Sequence, residues 1–160
     1  MTLESASSDP RTSQVDALMR RLLATSPIYG LILADMQLRD VRPGAVTLYL
    51  RLTPTHLNSK GGLHGAVSAT VVDFVTGLAI CAHDLRDTTG ASVDMHLSFL
   101  AAAHAGDELV VRASAERVGA NLAFVTVRIN KLVGDGVEKS VTLAQHTKFV
   151  RGTGPAEGGV

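Results

Sequence analysis

The sequence has no surplus of either charge and almost no cysteine. Lys plus Arg and Asp plus Glu number 15 each, so the formal net charge is zero. Because there is no excess of basic residues, the sequence gives no indication of nucleic-acid binding. Because there is no acidic run, it gives none of a basic partner. Cys81 is the single cysteine, which excludes an intrachain disulfide framework and favours a reducing compartment. We therefore expect a small molecule or a second copy of the chain as the partner.

Targeting features are also absent from the beginning of the sequence. Residues 1–16 carry three carboxylates and no apolar segment, so neither a secretory signal nor an Arg-rich, acid-poor transit peptide is visible. We expect a cytoplasmic protein, with a mitochondrial location without a cleaved leader as the alternative. The longest apolar run contains Asp73 and many small residues, so no membrane span is predicted.

The length of 160 residues suits one domain with its own core. Residues 1–13 and 151–160 hold too little apolar surface to pack, and we expect disordered tails on either side of a single domain over residues 14–150. Apolar residues at helical spacing predict a short amphipathic helix over residues 14–25.

Six segments have the pattern of strands. In residues 45–53 apolar and polar residues alternate, and Arg42-Pro43-Gly44 predicts a turn from an earlier strand around residues 31–41. The later strands are predicted over residues 91–100, 107–118, 122–132 and 137–150. Their connections are too short for parallel crossovers, so we expect a mostly antiparallel sheet.

One long helix separates the first two strands from the last four. Its sequence, GAVSATVVDFVTGLAICA, is apolar on nearly all sides, so it must be enclosed by other elements. An antiparallel sheet curved around it is the simplest enclosure, which predicts an α+β fold. Asp73 lies in the middle of this helix, where we expect packed side chains on most sides. A buried carboxylate is costly unless it is paired, hydrogen-bonded or used.

The start of this helix is a second candidate site. His64 and Gly65 belong to its first turn and Asn58 to the preceding loop, and free backbone N–H groups at a helix start attract negative charge. Asp73 follows His64 by nine residues, which on an ideal helix is about 13 to 14 Å along the axis and about half a turn around it. The two groups cannot meet at one reacting atom within a chain. If both are functional, the helix start of one subunit must face Asp73 of another across a two-fold axis.

These residues stand in a recognisable order. Asn58, Gly62-Leu63-His64-Gly65 and Asp73 are followed by Gly90-Ala91-Ser92-Val93-Asp94-Met95 and by His146-Thr147-Lys148. This order resembles the hotdog-fold acyl-CoA thioesterases of the phenylacetate-type branch, over residues 29–148. The resemblance implies a hotdog fold, a homo-oligomer built as a dimer or a dimer of dimers, and hydrolysis of a fatty or aryl acyl-CoA without a further cofactor.

The resemblance also implies a role for each matched residue. The Gly65 amide and Asn58 would polarise the thioester carbonyl, with His64 supporting Asn58, while Asp73 and Ser92 of the facing subunit would orient and activate water. Donors aimed at a developing oxyanion stabilise the transition state, and a positioned carboxylate takes the proton from water. Attack by Asp73 itself on the thioester, forming an anhydride, is the alternative.

The turn after the fourth predicted strand departs from the family pattern. The residue after Gly119 is often basic in the family and is thought to contact CoA phosphates, but here it is Ala120. The resemblance therefore assigns the CoA contact to Arg117 and Gly119.

Other functions are disfavoured by missing signatures. There is no Gly-x-Ser-x-Gly elbow, P-loop or dinucleotide fingerprint. Asp94 and His96 share the predicted strand face of Ser92 and Ser98, but no third ligand follows, so no metal is expected. Hydratases of the same fold carry an Asp followed five residues later by His, which this sequence lacks. Thioesterase is thus favoured over hydratase, and a non-catalytic acyl-CoA-binding protein is the other alternative.

Overall fold

The computed structural model describes residues 9–155, and its first element is a helix, α1, over Pro10–Thr25. The carboxylate of Asp9 accepts the N–H of Arg11 at 2.9 Å, and Pro10 takes the first-turn position where an N–H is not needed. The helix therefore begins four residues before the predicted start, and residues 10–13 of the expected tail are helical. Residues 1–8 and 156–160 of the expected tails lie outside the described residues.

A second helix, α2 over Pro27–Leu33, was not predicted. The strand expected from residue 31 begins only at residue 37, since β1 spans Gln37–Arg42. A helix of seven residues makes about two turns, too few for a period of 3.6 to stand out from an alternating pattern. Its position depends on tertiary packing, because Leu33 is completely buried.

The remaining strands agree closely with the predicted segments. They are β2 over Ala45–Arg51, β3 over Ala91–Phe99, β4 over Glu108–Val118, β5 over Leu122–Leu132 and β6 over Glu138–Phe149. All neighbours pair antiparallel in the order β1-β2-β4-β5-β6-β3, and the predicted hairpin between β1 and β2 is confirmed. One edge of the sheet is therefore β3.

The long central helix, α3, spans Gly65–Asp84 and lies against the inner face of the curved sheet. Its side chains Phe74, Leu78 and Ile80 are completely buried with Leu48 of β2 and Ile129 of β5. The predicted α+β fold, a curved antiparallel sheet around one central helix, is confirmed. By length and hydropathy α3 could also cross a membrane, but 78% of its most apolar window is buried inside the fold.

The chain stays attached to the domain for a few residues after β6. The guanidinium of Arg86 forms an ion pair with Asp84 and donates to the Thr153 hydroxyl at 2.9 Å. The hydroxyl of Thr153 in turn donates to the carbonyl of Val150 at 2.7 Å. The first residues of the expected C-terminal tail are therefore held by hydrogen bonds that the sequence pattern does not reveal.

Gly90 is the glycine whose replacement should destabilise the fold most. Its φ is +73°, and an added Cβ would lie 1.9 Å from the carbonyl oxygen of Phe149. We expect Gly90→Ala to lower the free energy of unfolding by about 3 kcal/mol or more, because the backbone of β6 must shift. Urea denaturation measures the loss.

Gly106→Ala is the matched control for this prediction. Gly106 also has a positive φ, +88°, but nothing lies within 4 Å of the added Cβ. The free energy of unfolding should fall by about 1 kcal/mol in Gly106→Ala, which is the cost of the left-handed conformation alone. Equal losses in the two variants would show that the collision with β6 does not matter.

Candidate active site

Asp73 lies on α3 among polar side chains, which differs from the expected enclosure by apolar ones. Its side chain is 35% exposed. The hydroxyl of Tyr29 on α2 donates to Oδ2, and the Ser92 hydroxyl on β3 lies 3.3 Å from Oδ1. On β6, Nε2 of His146 lies 4.0 Å from Oδ1. Three elements thus converge on one carboxylate, because the helix packs across the sheet at this point.

The structure brings Ser92 to Asp73 by means of a β-bulge. The pairing of β3 with β6 shifts between Ser92 and Asp94. The shift turns Ser92 towards the helix, whereas His96 and Ser98 remain on the outer face of the sheet. The prediction that Ser92 shares a face with these residues is therefore wrong. Strict alternation fails because a bulge inserts one residue and reverses the facing of everything before it.

His146 anchors the hydroxyl of Ser92. Burial first, and then the charge of Lys148, lower the pKa of His146, so the ring is neutral at neutral pH. The Thr76 hydroxyl donates to the Val72 carbonyl at 2.7 Å, and it must therefore accept from Nδ1 of His146, 2.9 Å away. Nε2 is then the acceptor and receives the Ser92 hydroxyl at 2.8 Å.

This arrangement determines what Ser92 offers to a ligand. A hydroxyl has one proton, and in Ser92 that proton points to His146 when the ring is neutral. The Ser92 oxygen and Oδ1 of Asp73 then both present lone pairs, 3.3 Å apart. Oδ1 of Asp73 is therefore left with lone pairs that can accept a proton from a ligand.

Lys148 supplies a positive charge to the same region. It lies opposite Ser92 in the β3–β6 pairing and is only 7% exposed. Burial lowers the pKa of Lys148, and the charge of Asp73 opposes that shift. The ammonium group therefore compensates part of the negative charge of a carboxylate placed inside the fold.

The start of α3 presents an unused donor. His64 is the N-cap, and its Nδ1 accepts the N–H of Ala66 at 3.0 Å. The N–H of Gly65 has no acceptor among the described residues. The Phe99 ring covers this position, because a Cβ on Gly65 would lie 3.3 Å from it. Gly65 thus offers a free amide at a helix start beside an aromatic ring, and such an amide suits an anion or a polarised carbonyl.

Asn58 holds the loop before α3 with one end of its amide group. Its Oδ1 accepts the N–H of Lys60 at 2.9 Å and of Gly62 at 3.2 Å. Within the described part of the chain, Nδ2 has no acceptor, so it is available to a ligand. His64 makes no hydrogen bond with Asn58, and its Nδ1 instead caps the helix.

The two groups of residues remain apart within one chain. Gly65 and Asn58 make no hydrogen bond to Asp73 or Ser92, and the helix from Gly65 to Asp73 is about 12 Å long. Their separation within one chain agrees with the helix geometry. We refer to the Gly65 and Asn58 donors as the donor half-site, and to Asp73 with its neighbouring hydroxyls as the carboxylate half-site.

Arg117 and Gly119 make no hydrogen bond with a residue of either half-site. A register shift between Ala115 and Arg117 bends β4 near its end, and the N–H of Gly119 closes the following turn on the Leu122 carbonyl at 2.8 Å. Arg117 is exposed and forms no ion pair or hydrogen bond with a described residue. The structure does not bring these two residues to Asp73.

Tyr29 and His146 are the site residues that sequence reasoning missed. His146 and Lys148 alternate with outward residues of β6 and point inward, as the apolar residues next to them on that face do. Two polar residues on an inward face were the feature of the sequence that could have revealed them. Tyr29 gave no signal, because it is 44 residues from Asp73 and its position depends on the packing of an unpredicted helix. Over residues 9–155, no group of three His, Cys, Asp or Glu side chains is placed to hold a metal ion.

The fold and the half-sites define a class of protein. A curved antiparallel sheet around one helix, with free donors at the helix start and a hydroxyl-held carboxylate at its middle, is the arrangement of a hotdog-fold hydrolase. The model of the thioesterase superfamily matches residues 60–138. Human acyl-coenzyme A thioesterase 13 is 32% identical over 120 residues, which are 74% of this chain and 82% of that protein. The chain belongs to the thioesterase superfamily, whose members are thioester hydrolases.

Solved structures agree with this assignment. The zebrafish thioesterase superfamily member 2 superposes with a TM-score of 0.74 at 30% identity, covering 84% of this chain and 94% of that one. A Streptococcus pneumoniae thioesterase with coenzyme A superposes with a TM-score of 0.66 at 23% identity, covering 75% of this chain and 91% of that one, and at this identity it supports the fold alone.

Proposed function

We propose that this protein hydrolyses acyl-CoA thioesters to the free acid and CoA, with no cofactor besides the CoA of its substrate. The observation that carries the proposal is the carboxylate of Asp73, held by Tyr29 and lying beside Ser92, on a helix whose start offers free donors. The human relative is named for acyl-CoA, and the Streptococcus structure contains coenzyme A.

The donor half-site binds the thioester carbonyl in this proposal. The Gly65 N–H and the Asn58 amide polarise the carbonyl and stabilise the oxyanion that forms when it is attacked. Such donors need no rearrangement during the reaction because the helix and its loop already hold them. His64 contributes by capping the helix and so fixing the Gly65 amide.

The carboxylate half-site activates water. Oδ1 of Asp73 takes one proton as the water oxygen attacks the carbonyl carbon, and the Ser92 hydroxyl beside it helps to orient that water. The tetrahedral intermediate then breaks its carbon–sulfur bond, the departing sulfur takes the proton from Asp73, and the carboxylate is restored. Proton and charge balance without any further reactant.

The reaction requires a second copy of the chain, since the half-sites are separated within one. Within residues 9–155, β3 has no partner on its outer edge, and its residues from Ala91 to Asp94 are exposed. Two copies pairing along β3 would extend the sheet and cover exposed apolar side chains such as Val93 and Phe99, which are 55% and 61% exposed. We propose a homodimer, or a dimer of such dimers, with two equivalent sites.

An apolar acyl group suits the side chains near the half-sites. Phe99 lies over Gly65, and Ile28 and Leu31 of α2 are 53% and 71% exposed. These favour a medium- or long-chain fatty acyl or an aryl group as the substrate. Arg117 and Gly119 are proposed to meet the CoA phosphates, mainly through the charge of the exposed guanidinium, with Gly119 shaping the turn beside it.

Free-thiol release from a panel of acyl-CoA esters tests the proposed function. Short-chain, aryl and long-chain substrates are compared at equal concentration, and we expect release to be fastest with an aryl or long-chain ester. Release by the short-chain ester alone would contradict an apolar acyl site. No release from any ester, together with CoA binding, would indicate a protein that binds acyl-CoA without hydrolysing it.

A further inference from the structure

Tyr29 touches the proposed base but has no part in the reaction described above. Its hydroxyl donates to Oδ2 of Asp73 from α2, while Ser92 lies at Oδ1 on the opposite side. The two oxygens of the carboxylate are therefore in different surroundings. Oδ2 is occupied by a protein donor, and Oδ1 faces a hydroxyl whose proton is directed to His146.

The tyrosine ring is held firmly against the core. It packs edge-on against Phe74, with ring centres 5.1 Å apart and an angle of 68° between the planes, and Phe74 is completely buried. The next residue, Gly30, lets α2 approach α1, because a Cβ there would lie 3.0 Å from the Leu23 carbonyl oxygen. The phenol is thus positioned before any ligand arrives.

His56 ties the same helix to the loop that precedes α3. Its Nδ1 accepts the N–H of Thr53 at 2.9 Å, so its Nε2 is the donor to the Ile32 carbonyl at 2.7 Å. The His56 carbonyl accepts the N–H of His64 at 2.9 Å. These bonds fix α2, which carries Tyr29, relative to the start of α3.

The direction of the hydrogen bond follows from the two groups. An ionised carboxylate only accepts, so the phenol must be the donor. Burial, followed by the hydrogen bond to Asp73 and its charge, raises the pKa of Tyr29, which keeps the hydroxyl protonated throughout the range in which the protein would work.

We propose that Tyr29 is a positioning residue that orients Asp73, holding Oδ2 so that Oδ1 is the oxygen that accepts the proton of the attacking water. This inference rests on the proposed role of Asp73. Removing the hydroxyl should therefore loosen the orientation of the base.

Tyr29→Phe tests the proposal kinetically, since it removes the hydroxyl and keeps the ring on Phe74. We expect kcat to fall about tenfold and KM to stay within about twofold, because the hydrogen bond orients the base and does not touch the substrate. The other groups that face Asp73, which are Ser92, His146 and Lys148, are unchanged in the variant. An unchanged kcat would overturn the proposal while leaving the thioesterase function standing.

Tyr49→Phe is the matched control. Tyr49 is the other tyrosine of the chain and lies on β2, where the Arg39 guanidinium sits 5.0 Å from its ring centre. Its hydroxyl makes no hydrogen bond with Asp73, so this variant should keep the kcat of the wild type. A matching loss in both variants would show a general effect of removing a tyrosine hydroxyl and would overturn the assignment to Tyr29.

A spectroscopic measurement reports on the contact without any substrate. The chain has no tryptophan, so in Tyr49→Phe the emission comes from Tyr29. A phenol that donates to a carboxylate is quenched, so the emission of Tyr29 at neutral pH should rise when Asp73→Asn is added to Tyr49→Phe. Equal emission with and without Asp73→Asn would overturn the contact. Absence of thiol release in the wild type would overturn the positioning role together with the proposed function.

Discussion

Replacing Asp73 with asparagine is expected to lower the rate of thioester hydrolysis about 10³-fold, within the range that general acid–base catalysis contributes. The side chains have the same shape, so the Tyr29 hydroxyl can still donate to an oxygen at this position. The amide cannot take a proton from water, and the loss should therefore appear in kcat. Thiol release under saturating acyl-CoA measures it.

Asp94→Asn is the control for this variant. Asp94 lies two residues after Ser92 on β3, but the bulge leaves it exposed on the outer face of the sheet. We expect nearly wild-type turnover there, and for both variants an unchanged melting temperature and oligomer size. If Asp73→Asn fails to fold or assemble, the carboxylate is structural. If it folds and retains turnover, Asp73 is not the base.

Mixing two inactive variants should restore activity, because each proposed site takes its two halves from different chains. Asp73→Asn removes the base. Asn58→Asp removes the Nδ2 donor and retains an oxygen that accepts the Lys60 and Gly62 amides, and loss of such a donor typically costs about 10²- to 10³-fold. In a hybrid dimer one site carries both substitutions and the other carries neither.

Random pairing sets the expected recovery. Half of the dimers formed from equal amounts would be hybrids with one intact site of two, so the mixture should regain about a quarter of wild-type activity. The variants are unfolded together in denaturant and refolded, with each variant refolded alone as the control. A mixture no more active than the mean of its parents would show that each site lies within a single chain.

The extent to which the sequence predicted the site differs from residue to residue. The separation of Gly65 and Asp73 along a helix was predictable, since helical rise is constant. The pairing of Ser92 with Asp73 was expected from the resemblance, yet alternation placed Ser92 on the wrong face, because a bulge is a property of the paired strands and leaves no periodic trace. His146 belongs to the recognised order of residues, but the sequence assigned it no role, because its bond to Ser92 depends on how β3 pairs with β6.

The local sequence pattern was sufficient to predict those helices and strands that are long enough for their periodicity to repeat several times. The antiparallel strands, the hairpin at Pro43-Gly44 and the enclosed helix over Gly65–Asp84 all follow from alternation, turn chemistry and apolar composition, which act between near neighbours in the chain. The same local signals could not predict α2, the donor bond from Tyr29 to Asp73 or the link from His146 to Ser92. Those contacts join residues 44 and 54 positions apart, and they exist because helix and sheet pack in one particular register that no single segment encodes.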